Sequence, residues 1–260
     1  MRVATFNVLS GRTPGEDRVD AGRFAAAVAS LDADLLALQE VDRRQPRSGY
    51  VDLAAVAAEA SGAVAHRFAA AMTGLPDGSW TPATDPLGER MTDPDRDDAP
   101  AYGIALLSRY PVTSWRAVPL PPLPVRVPYR WPGARRLSWV RDEQRVALVA
   151  EVAAPDGPLR VAATHLSFLR VSGTRQLRRL VGSAGPLDLL IGDLNLPPGP
   201  AVRLTGMRSL VAARTFPADR PRAQIDHVLA GTGRLVATGG GAIALPVSDH
   251  RALVVDVVGR

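Results

Sequence analysis

The residues of this chain able to do chemistry are acids, amides and imidazoles set at or beside the ends of apolar runs. They are Asn7 in ATFNVL, Glu40 in LLALQEV, His165 in VAATHLS, Asp193 and Asn195 in LLIGDLN, Asp226 in QIDHVL, and Asp249 and His250 in PVSDHRALVVDV. The runs of Val, Ile, Leu and Ala read as buried β-strands. Strand ends are rigid, and several aimed at one spot make a hard, oxygen-rich pocket suited to Mg²⁺ and a phosphate. The pattern predicts a metal-dependent hydrolase.

Hydrolysis of a phosphodiester needs charge neutralisation on the phosphoryl oxygens, an oriented water and help for the leaving oxygen. Glu40, directly after LLAL, is the best-placed ligand for a hard cation, and Asn7 offers an amide oxygen beside it. Asp193 and Asn195 are two residues apart and face the same way if their strand stays straight. Together they could activate a water and hold a phosphoryl oxygen. His165, and His250 beside Asp249, could donate hydrogen bonds or protons to the phosphate. Arg145 in EQRVALV could reach a phosphate, or pair with Glu143 at the surface. His227, next to Asp226, faces the other side of its strand and is read as packing.

The elements that must position these groups alternate. Strands are expected at 2–9, 35–41, 64–71, 103–108, 112–118, 146–152, 159–165, 187–192, 225–230, 234–238 and 252–258. Helices are expected from Ala21 to Leu31 behind an Asp20 cap, from about Val51 to Ser61, and from Ser172, as a cap, to Gly182. Two long segments lack periodicity. Residues 73–100 carry Gly, Pro and acids. Residues 119–141 are Pro- and Arg-rich, with Arg126, Arg130, Arg135 and Arg136 interleaved with Tyr129 and Trp131. Long loops on a rigid scaffold carry recognition. The second would suit single-strand stacking or a phospholipid surface, or equally a loop packed on its own domain.

Composition narrows the class. In 260 residues, 46% apolar, the reactive positions run from 7 to 250, so both ends build one site and 1–260 is read as one domain. The absence of cysteine excludes disulfides, thiolate zinc sites and cysteine nucleophiles. Nothing resembles a signal peptide or reaches the length of a transmembrane helix, so a cytoplasmic protein is expected, with no obligate protein partner. The net charge is +5, but every basic residue is Arg. With abundant Ala, Gly and Pro, that reads as compositional bias more than as a nucleic-acid footprint.

TFNV, LLALQEVD, YGIALLSRYPV, ATHLS, IGDLN, QIDHVL and SDHRALVVDV occur in an order that resembles the endonuclease/exonuclease/phosphatase superfamily, across nearly the whole chain. The resemblance implies an α/β fold, a four-layer α/β/β/α sandwich of two packed mixed sheets. It also implies a phosphoester hydrolase dependent on Mg²⁺, or on Mn²⁺ in its place. Carried over, Glu40 is the principal metal ligand with Asn7 beside it and Asp249 near the metal. Asp193 orients or deprotonates the attacking water, and Asn195 binds the phosphate. His250 contacts the scissile phosphate, oriented by Asp226, and His165 is the second phosphate-facing histidine.

Two departures narrow the branch. Leu9 stands where abasic-site endonucleases carry Asp, and His165 where they carry Tyr, which disfavours that activity. No acidic partner for His165 is found near Tyr102-Gly103, where nucleases of the DNase I type would place one. The expected function is a phosphodiesterase on a small or lipid-linked phosphoester. The alternative is a sequence-nonspecific DNA or RNA endonuclease on the same scaffold. Loss of catalytic groups, as in a binding-only relative, is not seen.

Overall fold

The computed structural model describes residues 1–16, 18–76, 78, 80–88, 99–130 and 134–260. Its strands are β1 (Arg2–Asn7), β2 (Leu35–Arg43), β3 (Ala65–Thr73), β4 (Thr81–Pro82), β5 (Ala101–Ser108), β6 (Val112–Leu120), β7 (Arg126–Tyr129), β8 (Ser138–Arg141), β9 (Arg145–Ala154), β10 (Gly157–His165), β11 (Leu189–Asp193), β12 (Arg208–Ser209), β13 (Asp226–Ala230), β14 (Leu235–Ile243) and β15 (Ala252–Gly259). One sheet has the order β14-β15-β1-β2-β5-β3-β4 and a second β12-β13-β11-β10-β9-β6, while β7 and β8 pair alone. Both large sheets are mixed, with β1 parallel to β2 and β10 parallel to β11.

Strand parity builds the layers. Val3, Leu35, Ile104, Leu148, Val161, Ile191, Val228 and Leu253 point between the sheets into one core. The alternate residues point outward. Ala4, Phe6, Leu36 and Leu38 meet helices α1 (Ala21–Ser30) and α2 (Leu53–Ser61). Ala162, Leu190 and Leu229 meet α3 (Arg170–Ala184) and α4 (Pro198–Thr205). The result is the expected α/β/β/α sandwich.

Asp20 caps α1 by accepting from Arg23 N (2.9 Å), and Asp52 caps α2 by accepting from Ala54 N and Ala55 N (3.0 and 3.1 Å). Each cap contributes about 1 kcal/mol. Ser172 does not cap α3: the helix begins two residues earlier, and the Ser172 hydroxyl is buried against the Asp142 carboxylate. Helix α4 was not expected from a sequence that reads PPGP. Proline is nevertheless suited to the first turn, where no N–H is needed. Segment 119–141, read as irregular, contains the β7–β8 hairpin, while Trp131 and residues 77, 79 and 89–98 of the other long segment lie outside the described residues. Among the described residues no helix is long and apolar enough to cross a membrane.

Candidate active site

At one end of the sandwich the inward-facing rows stop being apolar. Val3 and Thr5 continue to Asn7, Val161 and Ala163 to His165, and Leu189 and Ile191 to Asp193. Val228 leads back to Asp226 on the antiparallel neighbour. Register aligns His165 with Asp193 and Asp193 with Asp226, so three reactive side chains form one row across three strands.

Glu40 reaches the site by a different route. Parity would send it outward with Leu36 and Leu38. However, β2 is bulged between Gln39 and Val41, and Glu40 adopts φ 56°. Its carboxylate thereby meets the Asn7 amide, which donates to Glu40 Oε1 (3.0 Å) and to Asp193 Oδ2 (3.1 Å). Asn7 Oδ1 is used by Leu9 N (3.1 Å), so Asn7 presents its NH₂ to the carboxylates rather than an oxygen.

Asn195 also departs from the straight-strand expectation. Strand β11 ends at Asp193, Asn195 has φ 49°, and its backbone N–H folds back to Asp193 Oδ1 (2.9 Å). Its side chain donates to Leu166 O (2.9 Å) and lies 3.3 Å from His165 Nε2. The turn brings Asn195 to the site that a straight strand was expected to reach.

The two histidines differ in charge. His250 Nδ1 donates to Asp226 Oδ2 (3.0 Å), which also accepts from Thr215 Oγ1 (2.5 Å). Burial pushes the His250 pKa down, but the charge and hydrogen bond of Asp226, with the charges of Asp193 and Asp249, outweigh it and raise it to about 10. His165 is held neutral: burial, then the Arg145 and His250 charges, push its pKa well below 6.5. Burial and the Asp226 charge lift Asp193 to about 7. His165 Nε2 lies 3.5 Å and His250 Nε2 3.9 Å from Asp193 Oδ2.

Arg145 is not displayed to solvent. It is 6% exposed, its Nη1 lies 3.1 Å from His165 Nδ1, and it shares a hydrogen bond with Tyr102. Glu143 is 3.8 Å away. His227 is buried on the opposite face and donates to Leu196 O (2.8 Å), as its parity requires. Sequence reading missed Thr215, the second donor to Asp226, and Phe216, whose ring lies 4.8 Å from that of His250. Both sit in a loop without periodicity, and no local signal marks them.

Asp193, Asp226 and His250 bring possible ligand atoms within 4.8 Å of one another, a group able to hold a metal. Among the described residues neither Glu40 nor half-buried Asp249 joins that group. Two observations fit a cation at this end of the sandwich. Asp226 Oδ1 is buried without a donor, and two carboxylates converge on the positive face of the Asn7 amide.

The sequence profile of the Endonuclease/Exonuclease/phosphatase family matches residues 4–250. The chain belongs to this family, whose members hydrolyse phosphoester bonds. Solved structures share the fold. An endonuclease/exonuclease/phosphatase from Beutenbergia cavernae DSM 12333 superposes with a TM-score of 0.68 at 24% identity, over 99% of this chain and 71% of that one. The mannosyl-6-phosphatase Bt3783 of Bacteroides thetaiotaomicron VPI-5482 gives 0.61 at 13% identity, over 99% of each chain. The human Nocturnin catalytic domain, with bound sulfate, gives 0.60 at 16%, over 100% of this chain and 94% of that one. No curated protein sequence matches this family member.

Proposed function

We propose that this protein is a metal-dependent phosphodiesterase in which Asp193 activates water for attack at phosphorus. The observation that carries the reading is the convergence on Asp193 Oδ2 of Asn7, His165 and His250, with Glu40 joined through the same Asn7 amide.

The roles follow from protonation. Asp193, lifted towards neutrality, takes a proton from water as its oxygen bonds to phosphorus. His165 is neutral. A guanidinium only donates, so Nδ1 is the acceptor and Nε2 carries the hydrogen that a phosphoryl oxygen would accept. His250 is charged at neutral pH, offers Nε2–H to the phosphate, and is the nearest proton source for the leaving oxygen. Asn195 positions the Asp193 carboxylate and adds an amide donor.

Glu40, joined to Asp193 through the Asn7 amide, would hold a hard divalent cation, Mg²⁺ or Mn²⁺, with Asp249 the further carboxylate called on. His250, bonded through Nδ1 to Asp226, is assigned to the phosphate rather than to the cation. When bound, the cation supplies charge neutralisation on the phosphoryl oxygens and lowers the Asp193 pKa.

The test is hydrolysis of bis(p-nitrophenyl) phosphate beside plasmid DNA, with Mg²⁺, Mn²⁺ or EDTA and His250→Ala as control. Metal-dependent diester turnover with intact plasmid, lost in the variant, is the expected result. Plasmid cleavage lost in the variant would make the protein a nuclease. Turnover undiminished in EDTA would overturn the metal role.

A further inference from the structure

The β7–β8 hairpin stands on the rim that carries the site. Its register is Arg126↔Arg141, Val127↔Val140, Pro128↔Trp139 and Tyr129↔Ser138. Cross-strand partners share a face, so the hairpin has two distinct sides. One bears Val127, Tyr129 and Val140, all half-buried, with the Tyr129 ring edge-on to Phe168 at 5.0 Å. Phe168 follows His165 by three residues, so this contact ties the hairpin to the site. The opposite side carries Arg126, Pro128, Trp139 and Arg141, every one exposed. Trp139 is 69% exposed, and Leu137, two residues before it, is 59% exposed.

An exposed tryptophan and an exposed leucine cost free energy in water, about 25 cal/mol per Å² of apolar surface. The charge is as one-sided as the hydrophobicity. Segment 119–141 holds Arg126, Arg130, Arg135, Arg136 and Arg141 with no Asp or Glu, a charge equal to the net +5 of the whole chain. The formal charges of the rest of the protein therefore sum to about zero, whereas this segment is of one sign.

We propose that this face docks onto an anionic phospholipid surface, with Trp139 and Leu137 entering the interface and the arginines pairing with headgroup phosphates. Single-stranded nucleic acid is the competing polyanion. A stacking platform uses a series of exposed rings. Among the described residues of the hairpin Tyr129 is engaged with Phe168, and Leu137 has no π-face to offer a base. Aliphatic, tryptophan and arginine side chains side by side are what a lipid interface accepts. If the hydrolysis assigned above is correct, and only then, the docked protein would act on a phosphoester presented by that surface.

The experiment is co-sedimentation with vesicles of phosphatidylcholine, alone and mixed with phosphatidylglycerol, across a salt series. Bis(p-nitrophenyl) phosphate turnover is followed in parallel. The wild-type protein is expected to bind the anionic vesicles, more weakly as salt rises. Arg126→Gln with Arg141→Gln should weaken binding about 30-fold, two near-surface charges at about 1 kcal/mol each. Trp139→Ala with Leu137→Ala should weaken it at least tenfold, and both variants should keep full turnover of the soluble diester. Absence of vesicle binding by the wild type would overturn the proposal, as would binding that both variants retain. Loss of single-stranded oligonucleotide binding in these variants, without vesicle binding, would assign the face to nucleic acid instead. Vesicle binding without diester turnover would support the surface and count against the hydrolytic reading.

Discussion

Nη1 of Arg145 lies 3.1 Å from Nδ1 of His165, and a guanidinium can only donate. Where nucleases of the DNase I type would place a carboxylate, a buried cation stands behind this histidine, favours hydrogen on the other ring nitrogen and opposes a second proton. His165 is thereby held neutral and His250 charged, a difference set by Arg145 on one side and Asp226 on the other, and it underlies the donor and acid roles proposed for them.

Replacing Arg145 with Met, which keeps the volume, should lower kcat on a diester about a hundredfold with little change in KM. Imidazole ¹⁵N shifts should show the Nδ1–H tautomer of His165 growing. A purely structural role would lower stability and leave the tautomer unchanged.

The same pair sets an acid limit on stability. The unfolded chain protonates His165 at about its ordinary 6.5, whereas the folded protein refuses that proton until well below it. Stability from this group is intact above 6.5 and declines as pH falls below that value. In Arg145→Met one cause of the depressed pKa is gone, so the decline should flatten. Thermal unfolding followed from about pH 7 to pH 5 checks it.

Asp226→Asn keeps an acceptor for His250 and removes its charge. Activity should fall on the order of 10³-fold, and the alkaline limit of the rate profile should move down from about 10 towards 6.5. The sign for stability is opposite to that of His165. With its folded pKa raised, His250 contributes stability that is full below 6.5 and lost as pH rises through about 10. Alkaline destabilisation over that window should therefore be weaker in Asp226→Asn.

Gly192 precedes Asp193 at φ 146°, and a Cβ there would meet the Thr164 carbonyl oxygen at 2.0 Å. The β10–β11 pair must approach this closely for His165 and Asp193 to share a row. Gly192→Ala should cost about 3 kcal/mol or more, by urea unfolding, because backbone has to move.

Much of this site was legible as strand ends, because period-two alternation identifies the inward-facing row and where it turns polar. Asn7, His165, Asp193 and Asp226 follow from it, and His227 falls on the outer face for the same reason. Glu40 does not: its parity is wrong, and only the bulge at Gln39–Val41 turns it inward. Asn195 likewise depends on a turn that a straight strand does not anticipate. Arg145 reads as a surface or phosphate-binding cation in sequence, since burial beside His165 is decided by β9 and β10 pairing around it.

Asp142 had no sequence signal, yet it is buried and accepts from Ser167 Oγ (2.6 Å), Leu123 N (2.9 Å) and the Ser172 hydroxyl. It joins the Pro-rich approach to the hairpin, the segment after His165 and helix α3. Asp142→Ala strands these donors and should destabilise by about 2–4 kcal/mol. Limited proteolysis within 119–141 should accelerate.

The most direct measurement is the initial rate of bis(p-nitrophenyl) phosphate hydrolysis by Asp193→Asn in saturating Mg²⁺, with circular dichroism to verify folding. The assignment of Asp193 as the group that activates water predicts a loss of at least about 10³-fold in kcat. A folded variant within tenfold of the wild type would contradict it.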